Sequence, residues 1–113
     1  MYVAEENEKI IALYVISTEA DEAYNYAEWK YLDETSLVLH RFCVSPNFQN
    51  RGIGKKVLTE IELQVKNKGY DSIRLDVFTK NPYAQRLYRN NGYEVRGFAE
   101  WRKGRFDLME KHL

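Results

Sequence analysis

Cysteine is almost missing from this chain: Cys43 is the single one in 113 residues. An internal disulfide is therefore excluded. With two histidines besides, no Cys/His cluster for zinc is available, and no metal is expected. A lone thiol suits a reducing compartment, so a cytoplasmic setting is expected. Long hydrophobic runs are missing too. None approaches the roughly 20 residues of a membrane span. The start, Met1-Tyr2-Val3-Ala4-Glu5-Glu6, has neither a basic region nor an apolar stretch, so no export signal is expected. Net charge is zero.

That neutrality hides a division. Residues 1–40 carry nine acids and two bases, a balance of −7; residues 41–113 carry fifteen bases and eight acids, a balance of +7. The basic part suits a polyanionic ligand and the acidic part a cationic one; an uneven solvated surface is the other reading of the acidic part. A length of 113 residues with 44% hydrophobic and 30% charged residues fits one globular domain, 1–113. There are no repeats and no linker.

Two prolines and six glycines punctuate the chain. The stretch that organises it is Phe42-Cys43-Val44-Ser45-Pro46-Asn47-Phe48-Gln49-Asn50-Arg51-Gly52-Ile53-Gly54-Lys55. An apolar run ends at Pro46, which cannot donate to a central ladder. After the loop, Ile53, Val57, Leu58, Ile61 and Val65 recur at helical spacing. The unit reads strand, glycine loop, helix. The first amides of a helix have no intrahelical partner and carry partial positive charge, so a loop that gathers them makes an anion site. Gly52 and Gly54 remove Cβ atoms where a phosphate would approach, and Arg51, Lys55 and Lys56 add charge. A plain turn before a core helix remains the alternative.

Residues 2–4 and 10–17 form an expected hairpin. Ile10 to Ile16 is nearly continuous in apolar character, which predicts an interior strand covered on both faces. Residues 18–36 are a short helix or a loop. Tyr24, Tyr26, Trp29 and Tyr31 stand among Glu19, Asp21, Glu22 and Glu28. They either cover the sheet or recognise an amine through cation–π contact and charge. Nucleic acid is not expected there, because the acids would repel phosphate. Strands follow at 36–44 and 72–78, separated by a helix over 52–68 that Gly69 closes. This order implies a right-handed crossover and parallel neighbours. Asn81 caps a second helix with Pro82 at its first position, Ala84, Leu87 and Tyr88 share one of its faces, and Gly92 ends it. Residues 93–101 and 106–111 read as a terminal hairpin.

Together these residues resemble the GNAT superfamily of acyl-CoA-dependent N-acyltransferases. Gln49-Asn50-Arg51-Gly52-Ile53-Gly54 matches the family's Gln/Arg-x-x-Gly-x-Gly/Ala loop after a strand ending Phe42-Cys43-Val44-Ser45-Pro46. Asn81-Pro82-Tyr83-Ala84-Gln85-Arg86-Leu87-Tyr88-Arg89-Asn90-Asn91-Gly92-Tyr93 matches Asn-x-x-Ala-x-x-Leu/Phe-Tyr-x-x-x-Gly-Phe/Tyr. The match runs from about Leu37 to Leu113. It implies an α/β (α+β) fold, a central mixed twisted sheet with two helices packed on it and a short N-terminal β-hairpin. It also implies acetyl-CoA as co-substrate and transfer of an acetyl group directly to a primary amine. The amides and side chains of Gln49, Asn50, Arg51, Gly52, Ile53, Gly54 and Lys55 would hold its diphosphate. Backbone groups of Phe42, Cys43 and Val44 would pair with the pantetheine where strands 36–44 and 72–78 splay apart, and Asn81 would touch that arm. One N–H there would stabilise the developing oxyanion.

The resemblance makes Tyr88 the general acid that protonates the departing thiolate; on spacing alone a core tyrosine is the favoured reading. A phenol of pKa about 10 facing a thiol of about 8.5 needs positioning for this. For the general base, His40 is the candidate, in phase with Phe42 and Val44 on the strand before the loop, with Glu28, Asp33 and Glu34 as vaguer alternatives. A histidine held by hydrogen bonds is the other reading. Cys43 is expected to be small and buried rather than nucleophilic, and His112 to be surface. The strand and helices with which the family usually begins have no counterpart before residue 2. An exposed edge left there would favour a homodimer. A CoA-binding or assembly module without turnover is therefore the second reading of function.

Overall fold

The computed structural model describes residues 2–6, 9–45 and 52–113. Among them, six strands form one sheet: β1 (Tyr2–Glu6), β2 (Lys9–Ser17), β3 (Ser36–Val44), β4 (Ser72–Phe78), β5 (Glu94–Trp101) and β6 (Gly104–His112), in the spatial order β1-β2-β3-β4-β6-β5. Every neighbouring pair is antiparallel except β3 and β4. Helices α1 (Ile53–Asn67) and α2 (Pro82–Asn90) complete the mixed α+β fold. The two hairpins, the crossover and both helices are the elements that periodicity and turn residues predict.

Both helices lie on one face of the sheet because their apolar stripes meet the same alternating strand. Val57, Leu58, Ile61 and Val65 of α1 and Tyr88 of α2 are buried against Ile73, Leu75 and Val77 of β4. Polar bonds fix how α1 sits. The Tyr14 hydroxyl donates to Gln64 Oε1 at 2.8 Å, and Glu62 accepts from the Tyr93 hydroxyl at 2.9 Å and from Lys111 Nζ at 3.0 Å. Asn81 caps α2 as expected, its Oδ1 accepting from the Ala84 amide at 3.1 Å.

The opposite face is covered by chain rather than by a long helix. The segment from Glu22 to Leu32 begins as a 3-10 helix, Glu22–Tyr26, and crosses over Val38, Ala99 and Leu108. A buried carboxylate pins it. Glu110 is 1% exposed and accepts from Arg96 Nε (2.7 Å) and from the amides of Lys30 (2.7 Å) and Tyr31 (3.4 Å). A buried charge is tolerable only when its oxygens are satisfied in this way. Arg74 donates to the Tyr31 carbonyl at 2.6 Å and lies 4.5 Å over the Trp29 ring. Of the two readings of residues 18–36, covering the sheet is therefore the one that Tyr24 and Trp29 follow. Tyr26 is 79% exposed and does not.

One expectation is corrected. β2 is interior to the sheet, between β1 and β3, but it is covered on one face only. Ala12, Tyr14 and Ile16 pack toward the helices, whereas Leu13 remains 36% exposed. The crossing segment covers the β3-to-β5 part of that face and stops short of β2. Among the described residues, no helix is long and apolar enough to cross a membrane.

The αL backbone at Gly52 (φ 74°) sets where α1 begins, and nothing lies within 4 Å of a Cβ built there. Gly52→Ala is therefore expected to lose about 1–2 kcal/mol in chemical denaturation from the dihedral alone. Gly52→Asn should recover part of that, because asparagine tolerates this conformation.

Candidate active site

The site begins where hydrogen bonding between β3 and β4 stops. Their parallel ladder runs from Ser36–Ser72 to Leu39–Leu75 and ends there. Beyond it β3 stays with β2 as far as Val44, and β4 stays with β6 as far as Phe78. The strands part, as the resemblance implies. At the parting β3 carries a bulge: between the pairs Val15–His40 and Leu13–Cys43 it holds one residue more than β2, and Arg41 sits at φ 53°. A bulge turns a strand and re-aims its side chains.

The bulge corrects two expectations. Simple alternation puts His40 in phase with Phe42 and Val44. Instead Leu39, Phe42 and Val44 pack on the helix side, and His40 falls with Val38 on the other. Its Nε2 lies 2.9 Å from the Glu19 carbonyl, the hydrogen-bonded reading of this histidine. Cys43 is exposed rather than buried, at the cleft where the strands part.

The gap is a cleft of about 310 Å³ lined by Phe42, Cys43, Val44, Asn81, Tyr83, Ala84, Leu87 and Tyr88. Tyr88 is 5% exposed, its ring edge-on to Tyr93 at 5.4 Å. Burial, then the nearby Asp76, pushes the phenol above its usual range, so it remains a protonated donor. Tyr83 and Leu87 also wall a smaller cavity of about 170 Å³ with Gly52, Gly54, Lys55 and Arg86. The two cavities thus share a wall, and the smaller one lies at the α1 N-terminus. The first turn of α1 has no acid, and Gly52 supplies no side-chain cap. Gly54 turns out to serve packing: a Cβ there would overlap the Tyr83 hydroxyl. The Ile53 side chain packs on the core. Gln49, Asn50 and Arg51 lie outside the described residues. Exposed His112 stacks on Tyr31 at 5.0 Å, away from the cleft.

Periodicity alone missed Tyr83, Arg86 and Asp76. The first two could have been found as side chains one helical turn apart on α2, on the face toward the glycine loop. Asp76 reads in the sequence as the outer face of an alternating strand. Folded, it accepts from the Tyr24 hydroxyl at 2.8 Å and interacts electrostatically with both His40 and Tyr88. Burial raises its pKa, opposed by the Tyr24 bond and by His40. Behind Tyr24, on the same face, is a third cavity of about 360 Å³, lined by Thr18, Ala20, Tyr24, Asn25, Trp29, Ser36, Val38 and Arg74. Among the described residues, no group of three or more His, Cys, Asp or Glu side chains could hold a metal ion.

A family model described as an acetyltransferase (GNAT) domain matches residues 1–95. The chain belongs to the GNAT acetyltransferase family. The match therefore takes in the N-terminal hairpin, which the sequence motifs alone do not reach. This GNAT chain is 32% identical over 88 residues to [ribosomal protein bS18]-alanine N-acetyltransferase of Haemophilus ducreyi, covering 78% of this chain and 51% of that protein. It is 29% identical over 85 residues to thialysine N-epsilon-acetyltransferase of Bos taurus, covering 74% and 48%. The chain thus spans about half the length of these curated relatives. A GNAT family acetyltransferase from Elizabethkingia anophelis, crystallised with acetyl-CoA bound, shares the fold with a TM-score of 0.75 at 21% identity, over 98% of this chain and 74% of that one.

The raised pKa of Asp76 makes it a cost at neutral pH. Between the ordinary carboxylate pKa of about 4 and its own, the folded chain holds the extra proton, so stability falls as pH rises through that window. Asp76→Asn keeps an acceptor for Tyr24. It is expected to raise Tm at pH 7, with the gain vanishing below about pH 4, as scanning calorimetry across pH would show.

Proposed function

We propose that the chain transfers an acetyl group from acetyl-CoA to a primary amine by direct transfer. The observation that carries this reading is the parted pair β3 and β4, with the buried Tyr88 phenol in the gap and a basic helix N-terminus at one end of it. The residues fit the co-substrate. The amides of Ile53, Gly54 and Lys55, with the Lys55 and Arg86 side chains, suit a diphosphate. Gln49, Asn50 and Arg51, outside the described residues, precede Gly52 in the motif's sequence. Phe42, Cys43, Val44 and Asn81 line the walls that a pantetheine arm needs.

When bound, acetyl-CoA supplies the thioester carbon that the amine attacks. A protonated amine must first lose a proton, and Asp76 is the base the geometry favours over His40. Asp76 interacts electrostatically with Tyr88, whereas the His40 ring nitrogen is engaged with the Glu19 carbonyl. A carboxyl lifted toward neutrality is better matched to this task than an ordinary one. Tyr88 gives its proton to the departing sulfur and regains one from the attacking nitrogen. Two protons thus leave the ammonium, one through Asp76 to solvent and one to the thiol.

The acceptor enters from the face that carries Tyr24 and His40. Six acids and one base in residues 19–35 suit a cationic amine there. The Haemophilus relative is named for an alanine of a ribosomal protein and the Bos taurus relative for thialysine, which supports an amine on a protein or on a small molecule. A cytoplasmic setting suits an exposed thiol such as Cys43. The edge strands β1 and β5 are where a second copy would pair in a homodimer.

Free thiol released from acetyl-CoA over a panel of amines tests the reaction. Tyr88→Phe is expected to lower kcat by about 10²-fold with little change in KM; undiminished release would remove Tyr88 as the acid. Tight CoA binding in calorimetry with no release from any amine would assign a binding module instead. Arg86→Ala should weaken CoA about tenfold at low salt, and less as salt screens the contact.

A further inference from the structure

Tyr24 is the residue of the crossing segment whose hydroxyl the fold does not require. Its neighbours Glu22, Asn25 and Tyr26 face solvent, whereas Tyr24 is 4% exposed. A phenylalanine would fill the same apolar slot among Val38, Ala99 and Leu108. A hydroxyl buried there is costly unless it finds an acceptor, and the one it finds is Asp76 Oδ2 at 2.8 Å. The surrounding bonds hold the Tyr24 backbone in place. Trp29 Nε1 donates to the Tyr24 carbonyl at 2.7 Å, and Asp21 Oδ1 caps the turn by accepting from the Ala23 amide at 2.9 Å. Along this face the floor runs Ser36, Val38, His40 on β3 and Arg74, Asp76 on β4. Tyr24 therefore stands between the 360 Å³ cavity and the base.

We propose that Tyr24 is a positioning residue: its hydroxyl fixes the direction of the Asp76 carboxylate and holds it as proton acceptor for the amine. This rests on the acetyltransfer reading above. An O–H donated to a carboxylate stabilises its charged form, so deleting it favours the protonated form. The other titratable or charged groups around Asp76 are Asp21 on the crossing segment, His40 on β3 and Tyr88 on α2, and all of them stay in Tyr24→Phe.

Two readouts test it. The first is the titration of the Asp76 carboxyl carbon by 13C NMR in the protein without substrate, assigned with Asp76→Asn. Tyr24→Phe is expected to move it upward by about one pH unit. The second is kcat/KM for amine acetylation, whose acid limb should move the same way, costing about tenfold below the limb and little above it. A tyrosine that merely packs would alter Tm and leave both unmoved, and that result overturns the proposal. If the wild type shows no thiol release but the carboxyl titration moves, the reaction reading fails and the positioning contact stands. Should Tyr24→Phe not fold, the 13Cζ shift of Tyr24 in the wild type, followed through the Asp76 titration, carries the test: it should step at the pH where the carboxyl titrates, and a shift with no step there overturns the proposal.

Discussion

Everything at this site depends on two parallel strands that stop bonding to each other. A parallel ladder is stable while both strands run straight, and β3 does not. The extra residue at Arg41, held at φ 53°, bends β3 toward β2 after Leu39, while β6 keeps β4 on its own course. Backbone polar groups that leave a ladder need other partners. An enzyme that binds a long flexible cofactor arm can supply them from the ligand, which turns a defect of the sheet into a binding groove. The same bend sorts the side chains. Phe42 and Val44 go to the helix side, His40 to the other, and Cys43 to the opening.

The second constraint is Glu110. A buried carboxylate costs several kcal/mol unless it is well bonded, and this one has three donors from two parts of the chain. Two of the donors are amides of the crossing segment. A loop rich in acids thereby lies flat on the sheet, with Tyr24 beneath it and Tyr26 above. Without that anchor, the acids of residues 19–34 would repel one another with little apolar area to hold them down. The partner of Asp76 thus owes its place to a bond formed on β6.

The fold was legible in the sequence because its signals are local. Helical spacing from Ile53 to Val65, alternation in Ile73, Leu75 and Val77, and the Asn81-Pro82 cap each fix an element without reference to the rest. Tyr88 and the cleft walls were legible through motifs whose spacing is set by that same local geometry. What escaped was set by tertiary contact. No residue type marks the bulge, since arginine at φ 53° is an uncommon choice that neighbouring strands enforce. His40 was misplaced for that reason, and the exposure of Cys43 with it. Asp76 looks like an ordinary outward residue of β4 until Tyr24 folds over it, 52 positions away in the chain. Gly54 carries the motif's letter, yet the neighbour it accommodates is Tyr83, from the other helix.

The uneven charge of the chain also acquires a physical reading. The acidic half supplies the segment over one face of the sheet; the basic half supplies Lys55 and Arg86 near the other, at the helix side. On the proposed reaction the two substrates carry opposite charge and approach from opposite faces. They meet only where β3 and β4 part, since elsewhere the sheet separates them. A field that draws a polyanion to one face and a cation to the other also discourages each from occupying the wrong side. Zero net charge is then the sum of two opposed surfaces, and the gap between the strands is the place where their ligands touch.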